Sequence, residues 1–328
     1  MKYRVLGTTG WDISEIGLGT WQVGGGWGQP FDPQHAETIL ETAIEQGITF
    51  FDTADVYDGG ASEAAVGAIK RTYGDRIRIA TKCGRKLSPH VAEKYTPQAI
   101  RGFVEDSLSN TGLERIDLIQ LHCPPTDVYY RPEIFDACSR LIAEGKVGAA
   151  GVSVEKVEEA LKAVEYDVVS SVQIIFNMFR HRPSELFFRE AERRNIGIIV
   201  RVPLASGLLS GTFSLDQQFV EGDHRNFNRE GTAFDKGETF SGVPFEEGVK
   251  AAEEIKAALG DDVPLAEHAL QWILSFPQVS TVIPGASKPE QVLSNVRASG
   301  KGPLSDAQLA AVRRIYEDRI MPDVHHRW

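Results

Sequence analysis

The chain predicts an α/β protein: a (β/α)8 TIM barrel with an N-terminal β-hairpin and a long loop after strand 7. Three observations predict it. Short, β-rich apolar runs alternate with amphipathic helical stretches. There are eight such runs in the 328 residues. The segments outside the alternation are confined to the beginning of the chain and to one stretch after the seventh run. Strands that alternate with helices imply parallel pairing, because parallel neighbours need a crossover connection. Eight units fit a closed barrel, which commonly occupies about 250 residues or more as one unit, so 1–328 is expected to be a single domain.

Residues 1–15, "MKYRVLGTTGWDISE", predict a hairpin turning at "GTTG". The first barrel strand is "IGLGT" (16–20). It runs into "GLGTWQVGGGWG", which is glycine-rich but leads to Pro30 and a loop rather than directly into a helix, unlike the strand-to-helix dinucleotide fingerprint of an open Rossmann sheet. Asp32-Pro33 predicts an N-cap followed by proline at the first helical position. In "AETILETAIEQG", Ile39, Ala43 and Ile44 share a face and Gly47 ends the run. "ITFFD" (48–52) is the second strand, followed by a helix over "SEAAVGAIKRTYG" with Ser62 as N-cap. "IRIATK" (77–82), "IDLIQLH" (116–122), "VGAAGV" (147–152), "SVQIIF" (171–176), "GIIVRV" (197–202) and "STVI" (280–283) are the remaining strands. Thr96-Pro97 opens a helix as Asp32-Pro33 does. "ELFFREAERRNIG" and "AEHALQWILSF" carry apolar stripes, and Ser305 to Gln308 is a capping-box pattern. Residues 203–245 form the long insertion. Insertions after barrel strands lie on the C-terminal face, where barrel active sites sit, and a loop this long in a compact domain is either functional or disordered.

Composition narrows the function. Hydrophobic residues make up 42% and charged residues 25%, ordinary values for a globular protein. The formal net charge of −11 argues against nucleic acid or an anionic membrane as the main partner. Cys83, Cys123 and Cys138 are odd in number and match no zinc spacing, so no metal is expected and the thiols are expected to be reduced. The polar N-terminus does not resemble a signal peptide, and no apolar run reaches membrane-spanning length. A cytoplasmic location follows as the expectation, with the oligomeric state open.

The ionisable residues at strand ends carry the chemistry. Asp52 ends strand two, Lys82 strand three and His122 strand four, and Tyr57 lies in the loop after strand two. Each alone is more often a cap or an ion-pair residue. Together on adjacent strands they converge on one side of the barrel mouth. A free phenol has a pKa near 10. A neighbouring lysine held charged by a carboxylate would lower it and make tyrosine a better proton donor. Asp55 is expected to make only local turn hydrogen bonds.

The motifs "LGTTGWDISEIGLGTW", "FFDTADVY", "IATK", "DLIQLH", "GVS", the glutamine of "SVQIIFN", "PLASGLLSG" and "VIPGASKPEQVLSN" occur in that order across nearly the whole chain. In them the sequence resembles the aldo-keto reductase family, and "FVEGDHRNF" with "IPGA" resembles its bacterial branch that includes reductases associated with inositol catabolism. The resemblance implies NAD(P)H-dependent reduction of aldehydes or ketones, including sugars and their derivatives, or the reverse oxidation. It implies a catalytic tetrad of Asp52, Tyr57, Lys82 and His122, with Tyr57 as general acid and base. Trp21 and Trp27 would wall the substrate pocket beside Tyr57 and His122.

The cofactor side is implied by the same resemblance. Gly19, Thr20, Trp21 and Asp52 would lie near the nicotinamide, and Ser153 and Gln173 would hydrogen-bond its amide. Val154 stands where many members have asparagine, and Arg201 where they have a stacking aromatic; a guanidinium can also stack on a flat ring. Pro203, Leu204, Ala205, Gly207, Leu208 and Gly211 would wrap the pyrophosphate. Phe219, Asp223 and Arg225 would lie in the loop over the cofactor. Gly285, Ser287 and Lys288 precede a helix that opens near Pro289, an arrangement suited to a 2′-phosphate, with Gln291 and Asn295 toward the adenosine. NADPH is thus favoured over NADH, although Gly285 and Gln291 replace basic residues common in NADP-dependent members. Two other readings compete: a cofactor-binding regulatory subunit of a channel, and a Schiff-base enzyme using Lys82. The segment "PDVHHRW" either folds over the pocket or frays.

Overall fold

The computed structural model describes residues 1–25 and 29–328, so Trp27 lies outside the described residues. Two short strands, β1 (Tyr3–Val5) and β2 (Asp12–Ser14), pair antiparallel as the hairpin. Eight strands then form one parallel sheet: β3 (Leu18–Gly19), β4 (Phe50–Asp52), β5 (Arg78–Cys83), β6 (Ile116–His122), β7 (Val147–Ser153), β8 (Val169–Ile175), β9 (Gly197–Arg201) and β10 (Val279–Val282). They neighbour one another in chain order, and parallel bridges Ile16–Val282 and Gly19–Gly285 join the two ends. The result is the expected (β/α)8 barrel.

Helices cover the outside, among them α1 (Pro33–Glu45), α2 (Ala61–Tyr73), α3 (Pro97–Thr111), α4 (Pro132–Ala143), α5 (Val157–Ala163) and α6 (Phe187–Arg193). After β9 come α7 (His224–Phe227), α8 (Phe245–Leu259) and α9 (Leu265–Leu274), and after β10 α10 (Pro289–Lys301) and α11 (Asp306–Ile315). Three caps form as expected. Asp32 accepts from Gln34 N and His35 N, Thr96 accepts from Ala99 N, and Ser305 exchanges bonds with Gln308. Ser62 is a correction. Helix α2 starts two residues earlier, at Ala61 with Gly60 as its N-cap, and the buried Ser62 hydroxyl instead contacts Thr20 Oγ1 at 2.7 Å and Thr53 Oγ1 at 2.9 Å. A hydroxyl in the dry interface between two barrel loops satisfies more partners there than at an exposed helix end.

The period-2 geometry of strands sorts the residues into layers. Phe50, Ala80, Leu118, Ala149, Ile199 and Ile283 share a lumenal cluster with Leu6 and Ile13 of the hairpin. Their neighbours Phe51, Ile79, Ile119, Ala150 and Val200 pack outward against the helices. The hairpin therefore plugs one end of the barrel with apolar side chains. Gly7 sets how closely the plug seats: at φ 51° it approaches so near that a Cβ would lie 2.2 Å from Gly197 N. One step further along their strands the lumenal positions are Asp52, Lys82, Gln120 and Arg201, with His122 and Ser153 a step beyond and Gln173 beside Ser153. The same alternation that makes the apolar floor delivers a polar layer at the other end.

The insertion of 203–245 is less polar than its composition implies. Phe213, Phe219, Phe240 and Phe245 form an aromatic cluster, with ring centres 5.4 Å apart for Phe213–Phe219 and 5.2 Å for Phe240–Phe245. Arg225 and Arg229 stack over Phe219. Among the described residues no helix is long and apolar enough to cross a membrane.

Candidate active site

A cavity of about 1000 Å³ opens at the C-terminal end of the barrel. Asp52, Tyr57 and His122 line it, and Lys82 lies just beneath, 1% exposed. Lys82 Nζ donates to Asp52 Oδ2 at 2.5 Å, to the Thr53 carbonyl at 2.8 Å and to Tyr57 Oη at 3.3 Å. An ammonium has three N–H donors, and all three are used. Asp52 Oδ1 accepts from Gln173 Nε2 at 2.7 Å and Gln120 Nε2 at 3.1 Å. The buried carboxylate is thus held by three side chains from three other strands.

Burial alone would lower the Lys82 ammonium, but Asp52 and Tyr57 more than offset it and hold it above the ordinary lysine value. Burial raises the Tyr57 phenol, and Lys82 opposes that rise without reversing it. The net direction is therefore up, where the sequence suggested down. His122 is driven well below the ordinary histidine value by burial and by Arg85, Lys82 and Arg201, so it stands neutral at pH 7. Its ring lies edge-on to Tyr57 with centres 6.1 Å apart. Trp21 stacks on Tyr57 at 6.0 Å and, with Phe234 and Val56, supplies apolar walls.

The Tyr57 loop is sharply bent. Asp58 (φ 47°), Gly59 (φ 63°) and Gly60 (φ 99°) are all left-handed, a conformation that aspartate tolerates better than most residues. Asp55 corrects the expectation of local turn bonds. Its side chain is fully buried, both carboxylate oxygens lack a hydrogen-bond partner, and burial pushes its carboxyl up to about 7. The backbone directs it there: Asp55 N donates to the Lys82 carbonyl, which turns the side chain inward rather than along the loop.

Of the residues expected to bind cofactor, Gly19, Thr20, Trp21, Gln173, Arg201, Pro203, Leu204, Gly207, Arg225, Gly285 and Gln291 line the same cavity. Ser153, Ala205 and Leu208 are buried behind it. Ser153 Oγ donates to Gln173 Oε1 at 3.3 Å. Ala205, Ser206 and Gly207 are left-handed in succession. Gly211 ends that turn in the same conformation. Arg225 is held by Asp223 through Nε and Nη2. At the far end Ser287 N donates to Gln291 Oε1 at 2.7 Å, Lys288 is exposed before Pro289, and Asn295 is buried one turn further along α10. The trough thus offers glycine-lined backbone, an aromatic wall and a helix N-terminus, a donor set that fits an extended dinucleotide.

Sequence reasoning missed several residues. Gln120 sits two before His122 on the same strand face, so alternation could have found it. Arg85, Glu155 and Glu238 form a charged cluster with Arg201 beside His122: Arg201 Nη2 lies 2.9 Å from Glu155 Oε2, Arg201 Nη1 3.4 Å from Glu238 Oε2, and Arg85 bridges both carboxylates. Cys123, Glu155 and Glu238 bring ligand atoms within 4.8 Å of one another, but guanidiniums already engage both carboxylates. Val202, directly after Arg201, has φ 53°, unusual for a β-branched residue, and its carbonyl is held by Asn177 Nδ2 at 2.8 Å.

Comparisons agree with this architecture. The Aldo/keto reductase family model matches residues 15–317. The chain is 31% identical to the uncharacterized oxidoreductase YqkF of Bacillus subtilis, covering 95% of this chain and 96% of that protein. It is 33% identical to the NADH-specific methylglyoxal reductase of Escherichia coli, covering 97% and 99%. The holo form of aldo-keto reductase AKR11C1 from Bacillus halodurans superposes with a TM-score of 0.76 at 27% identity, over 96% of both chains. A polar layer of Asp52, Lys82 and His122 on consecutive barrel strands, with Tyr57 at its edge and the family pattern running through 303 of the 328 residues, has one conclusion: the chain belongs to the aldo/keto reductase family.

Proposed function

We propose that the protein, as one barrel domain, reduces aldehydes or ketones to alcohols with a nicotinamide cofactor, or runs the reverse oxidation, with Tyr57 as general acid and base. The observation that carries this is the contact of Lys82 Nζ with both Asp52 Oδ2 (2.5 Å) and Tyr57 Oη (3.3 Å) at a cavity also lined by His122. Since Lys82 donates to the phenol oxygen, the Tyr57 proton is left free to point into the cavity. Tyr57 delivers that proton to the carbonyl oxygen, and Lys82 stabilises the phenolate left behind. Neutral His122 donates a hydrogen bond that orients and polarises the carbonyl. Asp52 keeps Lys82 charged and aimed.

The bound cofactor supplies the hydride. Gly19, Thr20, Trp21, Ser153, Gln173 and Arg201 would hold its nicotinamide end, and the 203–211 turn with Arg225 its pyrophosphate. Ser287 and Lys288 at the start of α10, with Gln291 and Asn295, would hold the adenosine side. The exposed Lys288 supports NADPH over NADH. The E. coli relative is named NADH-specific, so both cofactors belong in the test. Lys82 does not suit a Schiff-base enzyme: its amine is saturated with acceptors and shielded from the cavity. Aldehydes, ketones, sugars and sugar derivatives are the substrate classes proposed, in the cytoplasm.

The test is steady-state oxidation of NADPH and NADH against aldehydes, ketones and sugars, with polyols for the reverse reaction. Turnover with a carbonyl compound that disappears in Tyr57→Phe is expected. Absence of turnover with every carbonyl would overturn the reading, and tight cofactor binding without turnover would favour a regulatory subunit.

A further inference from the structure

The charged cluster beside His122 is assembled by three loops and one strand end. Arg85 follows β5, Glu155 follows β7, Arg201 ends β9 and Glu238 comes from the long insertion. All four line the cavity shared with Tyr57 and His122. Arg85 and Arg201 both act on His122 through their charge, and Glu238 pairs with both. Without Glu238 these two cations would face the substrate with Glu155 alone as counter-ion.

Trp328 holds the segment that carries Glu238. It is 5% exposed. Its Nε1 donates at 2.8 Å to Asp235 Oδ1, which also accepts from Gly237 N at 2.7 Å. Arg180 stacks on its ring at 4.1 Å, and Arg182 Nη1 donates to its main-chain oxygen at 2.5 Å. Glycines on both sides of Glu238 make the seat. A Cβ on Gly237 would lie 3.0 Å from the indole, and one on Gly242 2.4 Å from it.

We propose that Glu238 determines the charge selectivity of the site: as counter-ion of Arg85 and Arg201 it keeps those guanidiniums from retaining an anionic substrate, so that uncharged carbonyl compounds are preferred over carboxylated ones of the same size, and Trp328 is the positioning residue that holds Glu238 there. This rests on the carbonyl-reductase reading above.

The experiment compares kcat/KM for 4-carboxybenzaldehyde and its methyl ester, two aldehydes of nearly the same shape that differ by one charge. The wild-type protein is expected to favour the ester. Glu238→Gln is expected to raise the acid-to-ester ratio roughly tenfold, the scale of one unpaired charge in a partly buried pocket, mainly through KM for the acid. Arg85→Met is expected to lower it. Trp328→Ala is expected to shift the ratio in the direction of Glu238→Gln by a smaller factor, with Trp328→Phe between it and wild type. Cofactor affinity, read by fluorescence, reports that each variant is folded. A ratio unchanged in both Glu238→Gln and Arg85→Met would overturn the assignment of Glu238. A shift in Glu238→Gln with none in Trp328→Ala would overturn the role of Trp328. If the wild-type protein turns over other carbonyls and prefers the acid here, the selectivity proposal falls and the reductase reading stands; if it reduces no carbonyl at all, both fall.

Discussion

Lys82 Nζ lies 3.3 Å from the Tyr57 hydroxyl and 4.9 Å from the centre of its ring, so the ammonium touches both the oxygen and the π-face of the same phenol. That contact gives the group proposed as proton donor a fixed partner. Tyr57→Phe keeps the ring and its packing and removes the proton. Turnover is expected to fall by about 10²–10⁴-fold, the usual contribution of one positioned acid or base. Cofactor affinity measured by fluorescence should change little.

Asp52 is the one carboxylate among the described residues that pairs with buried Lys82. Asp52→Asn leaves an ammonium in a dry site with a neutral neighbour. Removing one partner of a buried pair costs about 3–5 kcal/mol, and the loss should appear as a lower urea midpoint at pH 7. Turnover should fall as well, because a less firmly charged Lys82 stabilises the phenolate less.

Asp55 gives a stability signature of the opposite pH sense from most acids. Burial raises its carboxyl to about 7 in the fold, against an unfolded value near 4. The folded state therefore holds the proton more tightly. The stability associated with Asp55 is fully present below the unfolded value and is lost as pH rises through about 7. Asp55→Asn should remove that loss, gaining on the order of 2–4 kcal/mol over wild type at pH 8.5 and much less at pH 5. Urea unfolding at the two pH values decides it; an equal effect at both would show that Asp55 is not protonated in the fold.

His181 behaves in the usual sense for a histidine packed in neutral form. It is stacked between Trp272 and Tyr316, with ring centres 4.7 and 3.8 Å away, and burial pushes it down to about 3. Its folded value lies below the unfolded one, so stability is full above about pH 6.5 and is lost as pH falls toward 3. His181→Phe keeps the stack. It should reduce acid destabilisation between pH 6.5 and pH 4 by on the order of 2 kcal/mol, read from thermal midpoints across that range.

Much of the fold and half of the site were legible in the residues. Eight apolar runs became eight strands, and Asp52, Lys82 and His122 fell at strand ends because a run that stops on an ionisable residue marks where the core stops. Period-2 alternation is a local property, so it also placed these side chains on the lumenal face. Gln120 followed the same rule and went unread only because a neutral amide drew no notice. Ser62 and Asp55 were misjudged for a different reason: one reads as an exposed helix cap and the other as a loop residue, and only packing buried them.

The sequence alone determined the barrel, its N-terminal hairpin and the strand ends at which Asp52, Lys82 and His122 sit, since strand period, turn chemistry and residues at strand ends all act within a few residues of one another. The tertiary structure decided what surrounds these residues. Arg85 and Glu238 are 153 residues apart, and Trp328 reaches Asp235 across 93. No local pattern encodes those meetings. They exist because the closed barrel brings the ends of non-adjacent strands to one rim, where loops of unrelated sequence must neutralise one another's charge in a space from which water is largely excluded.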